Sequence, residues 1–321
     1  MRLKEKTVKL SFIDSGDETF RITTEVDIDD LTDSINNVGL LNPPFLIENR
    51  DHYTIVCGFR RIESCRRLGR SHIEARILDS DTKRLECVKL AITDNAFQRP
   101  LNLIEKSRSI NMISGFFKDN SSLAKEISAV GLPENQSLIN KIKNLCHLSQ
   151  PIQDGILSDT ISLSMALELG RLTQGAGEDF VKLFGLLKLS LNKQREIITL
   201  IKEIAHRDNI SIQKVLQSLQ KILNDEDLDR NQKTRKIRIY LKQRRFPAIT
   251  SAEKAFEKHV NELKLGRGSK LIPPKNFEGA TYTLSIYFNS LNELKEHKAT
   301  LDKIIQNPGL AAILAGHRSV P

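Results

Sequence analysis

No uninterrupted apolar stretch in this chain approaches the ~18 residues that a transmembrane helix requires. Its first residues, Met1-Arg2-Leu3-Lys4-Glu5-Lys6, run into mixed sequence without the apolar core of a signal peptide. A membrane protein is thereby disfavoured and a cytoplasmic one expected. The four cysteines, Cys57, Cys65, Cys87 and Cys146, show no CxxC spacing, so they read as reduced thiols and imply no disulfide framework. No two histidines lie within five residues of each other, which removes the paired zinc-ligand motifs of a single helix face. A Gly-x-Ser-x-Gly elbow is also absent. Gly266-Arg267-Gly268-Ser269-Lys270 lacks the full spacing of a phosphate loop and reads as a linker. Hydrolase and Walker-type readings lose their main support.

What is present fits a soluble chain of two or three domains: 321 residues, 39% of them hydrophobic and 28% charged. The net charge is 49 − 40 = +9. Between Arg230 and Arg245 the chain carries eight basic residues and no acidic one, which leaves 41 positive and 40 negative charges elsewhere. One short segment thus holds nearly all the imbalance and points to a polyanionic partner. Ile237, Ile239 and Leu241 alternate among its cations, so helix and strand both remain open. If about half of those cations met phosphates, the salt slope would be near −3.6 and affinity would fall on the order of a hundredfold between 50 and 200 mM salt. Such contacts hold DNA without reading its sequence; the competing reading is a solvated linker helix.

Strand and helix signals alternate over the first hundred residues. Asp27 can cap a helix bearing Ile28, Leu31, Ile35 and Val38 on one side, with Gly39 at its C-cap. Phe45 to Ile47 and Tyr53 to Val56 read as strands, Phe59 to Leu68 as a helix closed by Gly69, and His72 to Leu78 as a strand with Ile73, Ala75 and Ile77 on one face. From about Leu85 to Leu223 helical runs dominate: Leu101 to Phe117, Leu123 to Val130, Leu138 to Leu148, Leu163 to Leu172, Phe180 to Leu187, Lys193 to Ala205 and Ile212 to Leu223. Ser149, Ser162, Asn192 and Ser211 stand at N-cap positions. Farther on, Tyr282 to Phe288 alternates as a half-buried strand, and Ser290 with Glu293 forms a capping box before a helix that stops near Pro308.

The sharpest chemical signal is Val56-Cys57-Gly58-Phe59-Arg60-Arg61, where a strand reaches a glycine and a helix begins with two arginines. Unpaired amides and the positive end of the dipole make such a helix start an anion site. Gly58 admits a phosphate to the backbone, and Arg60 and Arg61 add forked, charge-assisted hydrogen bonds. On spacing alone, a triphosphate cradle competes with a solvated basic helix face continued by Arg66, Arg67 and Arg70.

Three segments together carry a resemblance. Val38-Gly39-Leu40-Leu41-Asn42-Pro43-Pro44-Phe45-Leu46-Ile47, then Tyr53 to Arg61 and on to Gly69, then Asp94-Asn95 to Glu105, resemble in order and spacing the motif boxes of the ParB family of bacterial partition proteins. The resemblance implies an α+β chain with a ParB/sulfiredoxin-like N-terminal domain, a helical middle domain with a helix-turn-helix, and a small C-terminal α+β region. It implies CTP held by Asn42, Gly58, Phe59, Arg60 and Arg61 together with Asp94 and Asn95, and Mg2+ ligated by Asn95. Three residues depart from the family pattern. Phe59 and Asp94 each replace a usual glutamate, and Gln98 stands where an arginine is usual, with Arg99 one place later. Phe59 can neither orient a water nor act as a base, so the chain is at most a slow CTPase. Cys57 precedes the glycine and packs as a strand thiol, which disfavours sulfiredoxin-like redox chemistry.

By the same resemblance, Leu123 to Ile142 holds the helix-turn-helix, and Gln136, Ser137, Asn140 and Lys141 lie on the face that enters the major groove. A plain helical hairpin is the alternative. Lys236, Arg238, Lys242, Arg244 and Arg245 are the candidate non-specific DNA contacts. The expected domains are 1–115 for nucleotide, 116–225 for DNA, and 226–321 for the basic linker and self-association, the last because a lone strand beside one helix invites pairing. The expected whole is a nucleoid-associated, homodimeric, CTP-dependent DNA clamp with a possible partition ATPase and no membrane contact. The alternative is a DNA-binding regulator of the same fold without nucleotide switching, and an enzyme on this fold ranks last.

Overall fold

The computed structural model describes residues 3–133, 135–173, 175–266 and 268–315. They fall into two compact units, Met1–Leu191 and Asn192–Pro321, and the divisions expected near residues 115 and 225 fall inside these units. No described helix is long and apolar enough to cross a membrane.

The first unit opens with a five-stranded mixed sheet made of β1 (Leu3–Lys9), β2 (Ile13–Asp14), β3 (Phe45–Glu48), β4 (Tyr53–Cys57) and β5 (His72–Leu78), in the order β1-β5-β3-β4-β2. β1 pairs antiparallel with β5, β5 parallel with β3, β3 antiparallel with β4, and β4 parallel with β2. β4 is buried at all five positions, as a strand covered on both faces must be, and its run Tyr-Thr-Ile-Val-Cys suits that setting. In β5, Ile73, Ala75 and Ile77 face one core with Leu46, Ile55 and Ile62, as their alternation requires.

Two helices cover this core. α1 (Asp29–Val38) has Ile28, not the expected Asp27, at its N-cap and no side-chain cap bond; the Asp27 carboxylate accepts the Asp29 amide at 3.0 Å just before it, and the helix ends at Gly39 with φ +83°. α2 (Phe59–Arg67) starts directly from Gly58. α3 (Arg84–Ala96) and α4 (Leu103–Ser114) follow, and α4 is opened by a complete capping box between Asn102 and Glu105. Beyond it lie α5 (Asn120–Ala129), α6 (Gln136–Ile142), α7 (Gln150–Leu157), α8 (Leu163–Leu169) and α9 (Ala176–Leu187). The run expected to reach Leu148 stops as an α-helix at Ile142 and resumes as a 3-10 turn at Leu145–His147. Ser162 caps α8 through the Met165 amide, whereas Ser149 stands at the N-cap of α7 without a side-chain cap bond.

The second unit contains most of α10 (Leu191–Arg207), α11 (Ile212–Gln217), α12 (Gln220–Leu223), α13 (Arg230–Arg245), α14 (Pro247–Leu263), α15 (Leu291–Ile305) and α16 (Pro308–Ala315). Asn192 lies within α10 and is not its cap. Ser211 caps α11 through Lys214. The basic segment is helical: Asp229 and Gln232 form its capping box, and Thr234, Ile237 and Leu241 are its buried stripe. The C-terminal strand is not alone, contrary to the expectation that drove self-association. β7 (Thr283–Ile286) pairs antiparallel with β6 (Ser269–Ile272), so Ser269 and Lys270 belong to a strand and not a linker. Arg267 lies outside the described residues. The box at Ser290 is half formed: its hydroxyl accepts the Glu293 amide, but Glu293 accepts from Asn289.

Candidate functional site

In the first unit, the strand-to-helix turn at Gly58 opens onto a cleft of about 360 Å³ lined by residues of all three motif segments. Gly58 adopts φ +94°, and a Cβ there would lie 2.7 Å from the Pro44 Cβ. Both facts demand glycine for the backbone and its packing against the first segment. No side chain caps α2, so its first-turn amides retain the polarity that attracts an anion. Phe20, Ile22 and Leu31 form an apolar side of the cleft, while Thr23, Asn42, Arg60, Arg61, Asp94, Asn95, Gln98 and Arg99 supply polar groups.

Both arginines of the turn have partners within the protein. Arg60 donates from Nη1 to Glu25 Oε2 at 2.7 Å and from Nη2 to the Asp27 carbonyl at 2.6 Å. Its Nε is buried and has no partner. Arg61 donates to Asp94 Oδ2 at 2.6 Å and to the Asn42 carbonyl at 2.8 Å, tying the second segment to the third and the first. This pair is the better shielded one, with side chains 16% and 18% exposed. Gln98 also reaches Asp94, at 3.3 Å.

Asn95 donates its amide nitrogen to the Ala91 carbonyl at 2.9 Å, which leaves its Oδ1 as the atom suited to a hard cation. Among the described residues no group of three or more His, Cys, Asp or Glu could hold a metal ion. Cys57 lines the cleft, but burial, reinforced by the Asp94 charge, pushes its thiol up to about 12. It is therefore a packing group and not a nucleophile at neutral pH. Phe59 packs partly against the core, and the Arg21 guanidinium lies 5.7 Å from its ring centroid.

Behind the cleft, Arg99 grips Glu105 through two parallel bonds, Nη1 to Oε2 at 2.8 Å and Nη2 to Oε1 at 2.7 Å. The Thr24 and Asn102 amides each donate to the same carboxylate at 3.1 Å. Burial alone would raise the Glu105 pKa, but Arg99 and these amides outweigh it and hold the carboxyl below its usual range. Thr24, Glu25 and the Asp27 carbonyl carried no sequence signal as site groups, because the segment before α1 has no periodicity to place them, and nothing local in the third segment pairs Arg99 with Glu105.

The remaining candidates lie elsewhere. On α6, Ser137, Asn140 and Lys141 are exposed and Gln136 half-buried, while Ile139 and Ile142 form the inner face. Gln136 donates to Asn140 at 3.1 Å. The turn between α5 and α6 runs from Val130 to Asn135 through Gly131 at φ +78°, longer than the three or four residues of a compact helix-turn-helix. On α13 every cation proposed for DNA has an acidic partner: Lys236 with Asp225, Arg238 and Lys242 with Glu196, Arg244 with Asp208, and Arg245 with Glu203. Arg230, Lys233 and Arg235 have no ion pair among the described residues.

Comparison with known proteins agrees with the motif reading. The family described as ParB N-terminal domain matches residues 4–96. A probable chromosome-partitioning protein ParB of Campylobacter jejuni is 26% identical over 214 residues, covering 67% of this chain and 75% of that one. A nucleoid occlusion protein of Oceanobacillus iheyensis is 28% identical over 179 residues, covering 54% of this chain and 60% of its own length. Among solved structures, the C-terminally truncated ParB of Caulobacter crescentus complexed with CTP-gamma-S aligns at 20% identity over 56% of this chain and 98% of that one, with a TM-score of 0.26. With the mixed sheet, the glycine-opened helix and the three segments meeting in one cleft, residues 4–96 are a ParB N-terminal domain.

Proposed function

We propose that this chain is a DNA-associated partition protein whose N-terminal cleft binds CTP. The observation that carries the reading is the meeting of three distant segments at an uncapped helix start, beside an Arg60 Nε that is buried and unpartnered. A buried donor without an acceptor is costly, and a phosphate oxygen is the acceptor this setting suits. Arg61 and Gly58 shape the phosphate end, and the apolar side at Phe20, Ile22 and Leu31 takes the nucleoside. The donor set also fits Mg2+ shared with phosphate: Asn95 Oδ1 would hold the ion, whose charge would neutralise the phosphate chain. Phe59 offers no proton acceptor and Asp94 is committed to Arg61, so the nucleotide acts as a ligand.

In this reading Ser137, Asn140 and Lys141, with Gln136, meet DNA from α6. Self-association rests on exposed apolar side chains of the second unit, Tyr287, Phe288, Leu291 and Ile305. A partition ATPase is the further partner that such a protein would take. Titration calorimetry with CTP and Mg2+ tests the nucleotide half. Binding is expected, weakened about tenfold or more by Arg60→Ala through loss of a charge-assisted bond. Absence of binding, or an affinity indifferent to Arg60→Ala, refutes it.

A second reading is favoured by one observation: both arginines already have acidic partners, Glu25 and Asp94. A regulator that binds DNA without nucleotide switching would retain those pairs. DNA titrations with and without CTP separate the two, because only the first responds to nucleotide.

A further inference from the structure

Resting on the nucleotide reading above, we propose that Glu25 is a latch on Arg60: its carboxylate competes with the ligand's phosphates for this guanidinium, and so sets the affinity and the preference for phosphate number.

The contact is built unlike a stabilising pair. A fork would engage both carboxylate oxygens, yet Arg60 reaches Glu25 through Nη1 alone, gives Nη2 to a backbone carbonyl, and leaves Nε buried without a partner. The guanidinium is therefore under-satisfied where it lies, and a phosphate that engages Nε satisfies it better. Both side chains keep access to water, at 30% and 47% exposed. Exchange thus requires no charge to be stranded in the core.

The segment that carries Glu25 is fastened at its two ends and bonded sparsely between them. Thr24 is bonded to Glu105 and to Asn102, and the Thr23 carbonyl accepts from Arg108 at 2.9 Å. Past that anchor, the Glu25 amide donates to the Thr23 hydroxyl at 3.3 Å, Val26 is 80% exposed, and the next side-chain bond besides those to Arg60 is the one that the Asp27 carboxylate accepts from the Asp29 amide. The short span between Thr24 and Asp29 can swing while both ends stay fixed. It borders a second cleft of about 260 Å³ that holds Arg21, Glu25 and Val26 and shares Phe59 and Arg60 with the first. Outward movement of Glu25 would merge the two spaces in front of α2.

Releasing an exposed pair costs little, roughly a factor of 1.5 to 5 in affinity. The carboxylate that remains nearby also repels each added phosphate charge. Glu25→Gln is expected to tighten CTP about five- to tenfold, CDP less, and CMP by under about twofold. Asp27→Asn is the control: it removes one negative charge two residues away but keeps the backbone carbonyl that Arg60 uses, and should change CTP affinity by less than about twofold.

The experiment is titration calorimetry of the full chain and each variant with CTP, CDP and CMP, in Mg2+ buffer and in Mg2+-free buffer with EDTA, with far-UV circular dichroism showing that the fold is retained. A CTP-selective gain in Glu25→Gln alone supports the latch. Unchanged or weaker binding in Glu25→Gln overturns it while leaving the nucleotide reading intact, provided that the wild type binds and Arg60→Ala weakens it. Equal gains in Glu25→Gln and Asp27→Asn overturn it in favour of a diffuse field effect. A loss confined to Mg2+ buffer overturns it by making Glu25 a metal ligand. Failure of every folded protein to bind CTP removes the latch and the nucleotide reading together.

Discussion

Replacing Arg99 with alanine should destabilise the first unit more than any other single charge removal near the cleft. Glu105 is 1% exposed in its side chain, and Arg99 supplies two of the five hydrogen bonds to its carboxylate. Without Arg99 the carboxylate stays buried with the Thr24 and Asn102 amides and a long bond from the Thr24 hydroxyl. Removing one partner of a buried pair costs about 3–5 kcal/mol. Arg99 is itself 35% exposed, so water can partly replace it, and we expect the lower end, about 3 kcal/mol. For a unit of this size that corresponds to about 6–12 °C in Tm. The chain has no tryptophan, so urea unfolding followed by far-UV circular dichroism is the assay, with the midpoint lowered and the slope m unchanged. The effect should also depend on pH. The folded pKa of Glu105 is depressed, so its contribution is complete above the unfolded value near 4.3 and is lost as pH falls through the folded value. The gap between wild type and variant therefore narrows below about pH 4. A loss under about 1 kcal/mol at pH 7, or one that is constant with pH, would refute the claim that this fork holds the cleft to α4.

Two further outcomes are expected. Asp119 caps α5, accepting the Ser122 amide at 2.7 Å and the Ser121 hydroxyl at 2.8 Å, and these bonds lower its pKa to about 2. Its contribution is present above the unfolded value near 3.9 and disappears as pH falls toward 2, so hydrogen-exchange protection of α5 should drop over that window in the wild type and not in Asp119→Ala. Arg230, Lys233 and Arg235 are the unpaired cations of α13 among the described residues. Replacing all three by alanine should flatten the salt slope of non-specific DNA binding by about 2.7, measured by anisotropy on a random duplex, and no change in slope would remove α13 from that interface.

Periodicity made β3, β4, β5, α1 and α2 legible, because their apolar faces are buried against one another in a common core. β1 was not legible, since only Val8 among its seven residues is buried and an edge strand of alternating charge carries no inner-face pattern. β6 hid behind Gly268, whose φ of +85° resembles a loop although its carbonyl accepts the Tyr287 amide beside the strand pair. At the cleft, Gly58, Arg60 and Arg61 were legible because strand, glycine and helix are contiguous. Glu25 was not, because it lies 35 residues before Arg60 and no local rule encodes an ion pair across that distance. The basic segment shows the same limit: its cations are adjacent in sequence, but Glu196, Glu203 and Asp208, which pair with most of those expected to bind DNA, lie on or just after α10.

How each cation is held decides which of them a polyanion can recruit. Arg99 is locked by a fork on a buried carboxylate and cannot leave without stranding that charge. Arg61 is held by a shielded carboxylate and by a carbonyl of the first segment, so it frames the cleft and orients its walls. Arg60 is held by a single oxygen of an exposed glutamate and by the Asp27 carbonyl, so of the twin guanidinium groups it is the one whose acidic partner can be exchanged. The same ordering applies on α13. Arg238 and Arg244 each use two nitrogens on one acidic partner, whereas Lys236 and Lys242 use one and are more than half exposed. Exposed pairs of that kind contribute about 0–1 kcal/mol, less than the roughly 1.5–3 kcal/mol of a charge-assisted bond. Phosphates should therefore engage the unpaired Arg230, Lys233 and Arg235 first, then Lys236 and Lys242, and leave Arg238 and Arg244 to hold α13 in its own unit.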